Sequence, residues 1–179
     1  MKDMIRLINT CLGRLKQEVL SETGKVMFPS SQSEETIKGI SVWMSEKIEN
    51  DLSGIGAPGI CLKEKKFEPE YYGAKQFDIL LSINVISAHP KGLCTETVAK
   101  SILTHEFVHA ISIGYAKGDV SDIDRFKDEA YTDHLARKLF NILYPDEFYF
   151  TSYPSLDIEA YDKVDITDEG IQCYFKGRN

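Results

Sequence analysis

The sequence predicts an α+β fold in which a small mixed or antiparallel sheet packs against helices. Three observations lead there. Apolar residues recur at steps of three and four near the N-terminus, short β-type runs replace that period in the middle, and the helical period returns from Thr95. The chain has 179 residues, 42% apolar and 27% charged. Those are ordinary globular values, and they exclude a disordered tail, a collagen-like fibre and a coiled-coil rod. A chain of this length buries roughly two-thirds of its unfolded surface, so it needs no staples.

Ile5, Ile8, Leu12, Leu15 and Val19 form the stripe of an amphipathic helix over residues 3–21. Residues 23–33, with Gly24, Pro29 and several hydroxyl side chains, read as a linker. A helix follows from Glu34 to Leu52, capped by Ser31 or Ser33, with Ile37, Ile40, Met44, Ile48 and Leu52 as its stripe. The glycine-rich cluster Ser53–Gly59 ends it. Gly59–Lys65 and Phe77–Val85 are predicted strands, with a turn at Pro69, Tyr71, Tyr72 and Gly73 between them. Thr95 is expected to cap a helix that runs to about Ile113 and stops at Gly114. Another is expected from Ser121, with Asp124 completing a box-like cap, to a stop before Pro145. Residues 146–179 read as irregular, with a strand near Ile171–Phe175.

Acidic residues outnumber basic ones by 28 to 21, for a net charge of −7. Such a field repels phosphate backbones and argues against nucleic-acid partners. Cys11, Cys61, Cys94 and Cys173 contain no Cys-x-x-Cys pair, so neither a disulfide framework nor a zinc knuckle is expected. Arg6, Asn9 and Arg14 interrupt the apolar positions of the N-terminal segment, unlike a signal peptide. No run approaches the roughly 18 apolar residues of a membrane span. The expectation is a soluble, cytoplasmic chain with no membrane partner.

The chemistry concentrates at His105-Glu106-Phe107-Val108-His109. Histidines at i and i+4 lie about 40° apart around a helix, so both imidazoles reach one ion. Glu106 stands to the side, placed to touch a metal-bound water without ligating the metal. This is the zinc-peptidase pattern, with the glutamate as general base. The three fixed letters arise by accident in roughly 0.7% of chains of this composition, so context matters. Here the motif lies in a nearly charge-free helix, where two histidines and a carboxylate cost several kcal/mol unless a cation satisfies them. The alternative is that both histidines face solvent on a helix buried on its other side.

A catalytic zinc takes three protein ligands and one open position. Ser112 and Tyr115 stand where metzincin spacing has glycine and histidine, and His89 and His134 lie at no familiar offset. The following helix offers Glu129 and Asp133, one turn apart on a face shared with Phe126, Ala130, Ala136 and Phe140. Two carboxylates so placed repel unless cationic partners separate them. A zinc ion beside Glu129 and an imidazole N–H beside Asp133 supply both. The alternative is that this face turns to solvent. Asp124 and Asp128 read as solvated charges of the cap and outer face.

His105-Glu106-x-x-His109 followed by Glu129-x-x-x-Asp133 resembles the gluzincin arrangement of thermolysin-type metallopeptidases. The run from Glu129 through Leu135-Ala136 to Tyr144-Pro145, with Ile83-Asn84 before the motif helix, is similar to the intracellular ImmA/IrrE peptidases. That closer likeness covers about Phe77 to Pro145. The family's Leu-Leu-Met-Pro ending is here Ile142-Leu143-Tyr144-Pro145, and no helix-turn-helix segment is evident. The resemblance implies a zincin-like fold and one Zn2+ per chain, bound by His105, His109 and Glu129. It implies Glu106 as the catalytic base, Asp133 as the residue that holds His105, and a peptide or protein as substrate. On this reading residues 1–145 form the peptidase domain, with its motif core at 77–145, and 146–179 pack on the same domain.

Phe77–Val85 is the expected edge strand for an extended substrate. Tyr149, Phe150, Tyr153, Tyr161, Tyr174 and Phe175 are too many aromatics to stay in water at no cost, so the tail is expected to wall or occlude the cleft. Two further readings share these residues: a non-catalytic zinc protein that binds a partner, and an effector or toxin protease acting outside the producing cell.

Overall fold

The computed structural model describes residues 2–28, 30–63, 73–88, 94–112, 122–151, 161–167 and 170–175, with backbone alone for 122–127 and the last two segments. Helix α1 (Lys2–Val19) buries Ile8, Cys11, Leu12, Leu15 and Val19, as its period predicts. The expected linker instead holds a second helix, α2 (Glu22–Met27). Ser21 caps it by accepting the Gly24 N–H at 2.9 Å. Gly24 explains the tight return: a Cβ there would collide with the Glu18 carbonyl oxygen. Pro29 lies outside the described residues.

The single helix expected over residues 34–52 is three elements: α3 (Glu34–Gly39), β1 (Val42–Trp43) and α4 (Glu46–Ile55). Ser33 caps α3 and Ser45 caps α4. Distant partners break the run. Lys16 Nζ donates to the carbonyls of Lys38 and Ile40 and closes α3. Buried Asp78 then accepts the Ser41 N–H at 2.8 Å and the Trp43 indole N–H at 2.7 Å, drawing the chain into the sheet. The predicted stripe still turns inward, with Met44 half-buried, but in two places. Ile37 and Ile40 join the main core, whereas Ile48 and Leu52 pack with Leu62, Ala74 and Leu80.

The α+β expectation holds: a three-stranded mixed sheet packs against helices. Its order is β1-β3-β2, with β2 at Gly59–Cys61 and β3 at Ile79–Leu81. β1 runs parallel to β3, pairing Val42 with Ile79, while β2 runs antiparallel, pairing Ile60 with Leu80. Lys65 and the predicted turn at Pro69–Tyr72 lie outside the described residues. The run Phe77–Val85 yields a strand only as far as Leu81, because Ser82 starts helix α5 (Ile83–Ser87). The Glu49 carboxylate accepts the Ser82 hydroxyl at 2.6 Å and the Ile83 N–H at 2.7 Å, which fixes that change of direction. β3 is therefore the central strand and not the expected edge.

Helix α6 (Thr95–Ile111) crosses the middle of the molecule; its cap position is Cys94, one residue before the expected Thr95, and makes no side-chain bond. From Val98 to Ile111 every residue is buried except Glu106. Helix α7 (Asp122–Leu143) stops before Pro145 as expected. It packs antiparallel to α6: His105 meets Asp133, whereas four residues on His109 meets Asp128. Strands β4 (Tyr161–Thr167) and β5 (Gly170–Phe175) form an antiparallel hairpin, so the strand expected near Ile171 has a partner that the irregular reading missed. Among the described residues no helix is long and apolar enough to cross a membrane.

Candidate metal centre

The two histidines of α6 are almost fully buried, at 7% and 6% exposure. Their helical spacing turns both rings to the same side, edge to face with centroids 4.8 Å apart. α7 lays Glu129 across them. Oε2 of Glu129 is 3.1 Å from His105 Nε2 and 3.1 Å from His109 Nε2, and the two Nε2 atoms are themselves 3.1 Å apart. The result is an equilateral triangle of two imidazole nitrogens and a carboxylate oxygen.

Hydrogen bonding satisfies such a triangle poorly, because an N–H aimed at one corner points well away from the other. A cation satisfies all three. A tetrahedral ion with bonds of roughly 2.0–2.1 Å holds its ligand atoms about 3.3–3.4 Å apart, close to the observed separation. The donor set also suits a divalent transition metal, which imidazole and carboxylate bind together. Electrostatics point the same way. Burial disfavours the His105 imidazolium, yet the carboxylates of Asp133, Glu129 and Glu106 outweigh it and hold the ring up to about 10. Burial likewise opposes the Glu129 carboxylate, and the two imidazoles overcome it and keep the group far below the usual range. The pocket demands positive charge, which a proton or a metal ion can supply.

Behind each histidine stands a second carboxylate. Asp133, fully buried, places Oδ1 3.8 Å from His105 Nδ1, an ion-pair distance longer than a hydrogen bond. Its Oδ1 accepts the Tyr149 hydroxyl at 2.9 Å. Asp128 places Oδ2 3.7 Å from His109 Nδ1 and accepts Lys63 Nζ at 2.9 Å. Expected as a solvated charge, Asp128 is only 8% exposed. The buried face of α7 is wider than its Glu129–Asp133 row, because α6 lies directly against it. The adjacent row, Asp128 and Thr132, is also spaced by four, and Thr132 Oγ1 lies 3.3 Å from His109 Nδ1. Two neighbouring rows with this spacing were the available signal. The side chain of Asp124 lies outside the described residues. So do Tyr153 and the side chains of Tyr161 and Tyr174, while Tyr149 is buried in the main core.

A cleft of about 330 Å³ opens over the triad. Gly59, Cys61 and Lys63 line it on the side of β2, and Glu106, His109 and Glu129 on the side of the helices. Gly59 makes the approach possible: a Cβ there would meet Leu81 Cδ2 at 2.9 Å and both Glu106 Cγ and Ile102 Cγ2 at 3.0 Å. Glu106, the one unburied residue in its stretch of α6, makes no hydrogen bond among the described residues. Its carboxylate is free to act on whatever enters.

Compared with family models, curated proteins and solved structures, the chain matches none. The site rests on its own geometry: His105, His109 and Glu129 form a cluster able to hold a metal ion.

Proposed function

We propose that the chain is a zinc-dependent peptidase of the gluzincin type, with His105 and His109 binding the ion through Nε2 and Glu129 as third ligand. The observation that carries this reading is the 3.1 Å triangle with Glu106 beside it, without a hydrogen-bond partner among the described residues and facing a cleft. A divalent ion held by these three residues would supply Lewis-acid chemistry, acidifying a bound water and polarising a carbonyl. Glu106 takes the proton from the attacking water and delivers it to the leaving amine nitrogen. Asp133 orients the His105 ring, and Asp128 does the same for His109. An extended peptide lies along β2, an edge of the sheet among the described residues and beside the cleft, and pairs with it through main-chain hydrogen bonds.

Elemental analysis after metal-replete purification is expected to find one zinc per chain. Glu106→Gln is expected to keep the ion and abolish hydrolysis of an unstructured peptide. Finding no divalent transition metal would overturn the reading at its base. Stable zinc without turnover in the unmodified chain would replace it with a non-catalytic zinc protein.

A further inference from the structure

Lys63 belongs to no part of the chemistry above, yet it is the one cationic side chain lining the cleft among the described residues. Gly59, Ile60 and Cys61 of β2 and Lys63 just beyond it all line the cleft, so this stretch forms one wall of it. Glycine and cysteine keep the wall low beside Glu106, and the lysine follows at its end. Its ammonium is held in place: Asp128 Oδ2 accepts one of its three donors at 2.9 Å. The other two have no protein partner among the described residues. Asp128 lies beneath, with 11% of its side chain exposed against 22% for that of Lys63, so an entering group meets the cation first. Asp128 also stands at the Nδ1 edge of His109, away from the Nε2 that faces the cation position. The ammonium therefore flanks the triad, where it is placed to bind substrate next to the reacting bond.

We propose that Lys63 determines specificity by binding a carboxylate of the substrate, so that the cleft selects acidic peptides. The inference rests on the peptidase reading above. A side-chain carboxylate and a free C-terminus offer the same chemistry, and the fixed, partly buried ammonium suits either.

The test uses the zinc-loaded full chain and matched peptides carrying Glu, Gln or Lys at one position, each as C-terminal acid and amide. Hydrolysis is measured with the unmodified chain, and binding with Glu106→Gln, which retains the cleft. The expected result is a roughly tenfold to hundredfold preference for the acidic peptide, expressed in KM and in binding. Lys63→Met should erase it, Lys63→Arg keep it, and Lys63→Glu turn it towards the Lys peptide. Preference for Glu identifies a side-chain carboxylate, and preference for acid over amide ends identifies the C-terminus. An unchanged preference in Lys63→Met would overturn the proposal. So would an equal fall in kcat for every peptide, or loss of zinc, either of which makes the lysine a support for His109. Lys63-dependent binding of acidic peptides without hydrolysis would remove the peptidase reading alone; hydrolysis without acidic preference would remove the Lys63 proposal alone.

Discussion

The Tyr149 hydroxyl donates to Asp133 Oδ1 at 2.9 Å, deep in the core and 16 positions along the chain. Asp133 in turn stands behind His105. The segment after α7 thus reaches the candidate site through Tyr149 and Thr151, both of which hydrogen-bond Asp133, and Phe150 N–H anchors the same segment to Ser101 Oγ of α6 at 3.0 Å.

Tyr149→Phe removes that donor and leaves a fully buried carboxylate short of a partner. The expected cost is about 1–3 kcal/mol, or about 2–4 °C of melting temperature per kcal/mol for a chain of this size. A thermal melt by circular dichroism checks it. No change in stability would mean that Asp133 is satisfied without Tyr149.

Asp128 and Asp133 stand at nearly equal distances behind the two histidines. Asp128→Asn and Asp133→Asn are therefore each expected to weaken zinc affinity by roughly 10–100-fold, while Glu129→Gln weakens it far more. Competition titrations with a chromophoric chelator measure all three. Loss of zinc with Asp128→Asn but not with Glu129→Gln would reassign the third ligand.

Gly59→Ala places a methyl group against Leu81, Ile102 and Glu106 at once. Leu81 and Ile102 are buried and yield only at a cost, and the Glu106 side chain must shift as well. The expected effects are about 1–3 kcal/mol of destabilisation and, on the proposed peptidase reading, a fall in turnover with zinc content retained. Full activity in the folded variant would show that Glu106 tolerates the displacement.

Lys100 is buried between Glu147 and the ring of Tyr144, whose centroid lies 4.6 Å from Nζ. Partial burial opposes the Glu147 carboxylate, but Lys100 and the Thr97 hydroxyl outweigh it and hold its pKa below the usual value. A carboxylate whose folded pKa is depressed stabilises the fold fully above its unfolded pKa of about 4.3. That contribution disappears as pH falls through the lower folded value. Denaturant unfolding between pH 7 and pH 3 should therefore show a smaller loss of stability for Glu147→Gln than for the unmodified chain. Parallel curves would remove Glu147 from the account of acid sensitivity.

Features that depend on near neighbours were legible from residue order. His105 and His109 share one side of α6 because four helical steps nearly complete a turn, whatever surrounds the helix. The burial of Ile8, Leu12 and Leu15 and the capping by Ser33 follow from equally local rules. The position of Glu129 was legible only as a spacing matched to a known pattern. Its arrival 3.1 Å from both imidazoles depends on α7 lying across α6. Tertiary structure alone decided the rest. Asp78 pulls residues 41–43 out of a continuous helical stripe, Glu49 ends β3 at Ser82, and Lys63 meets Asp128 across 65 positions. The reason is physical: helical period and capping involve groups a few residues apart, whereas burial of a charge depends on which distant partner compensates it.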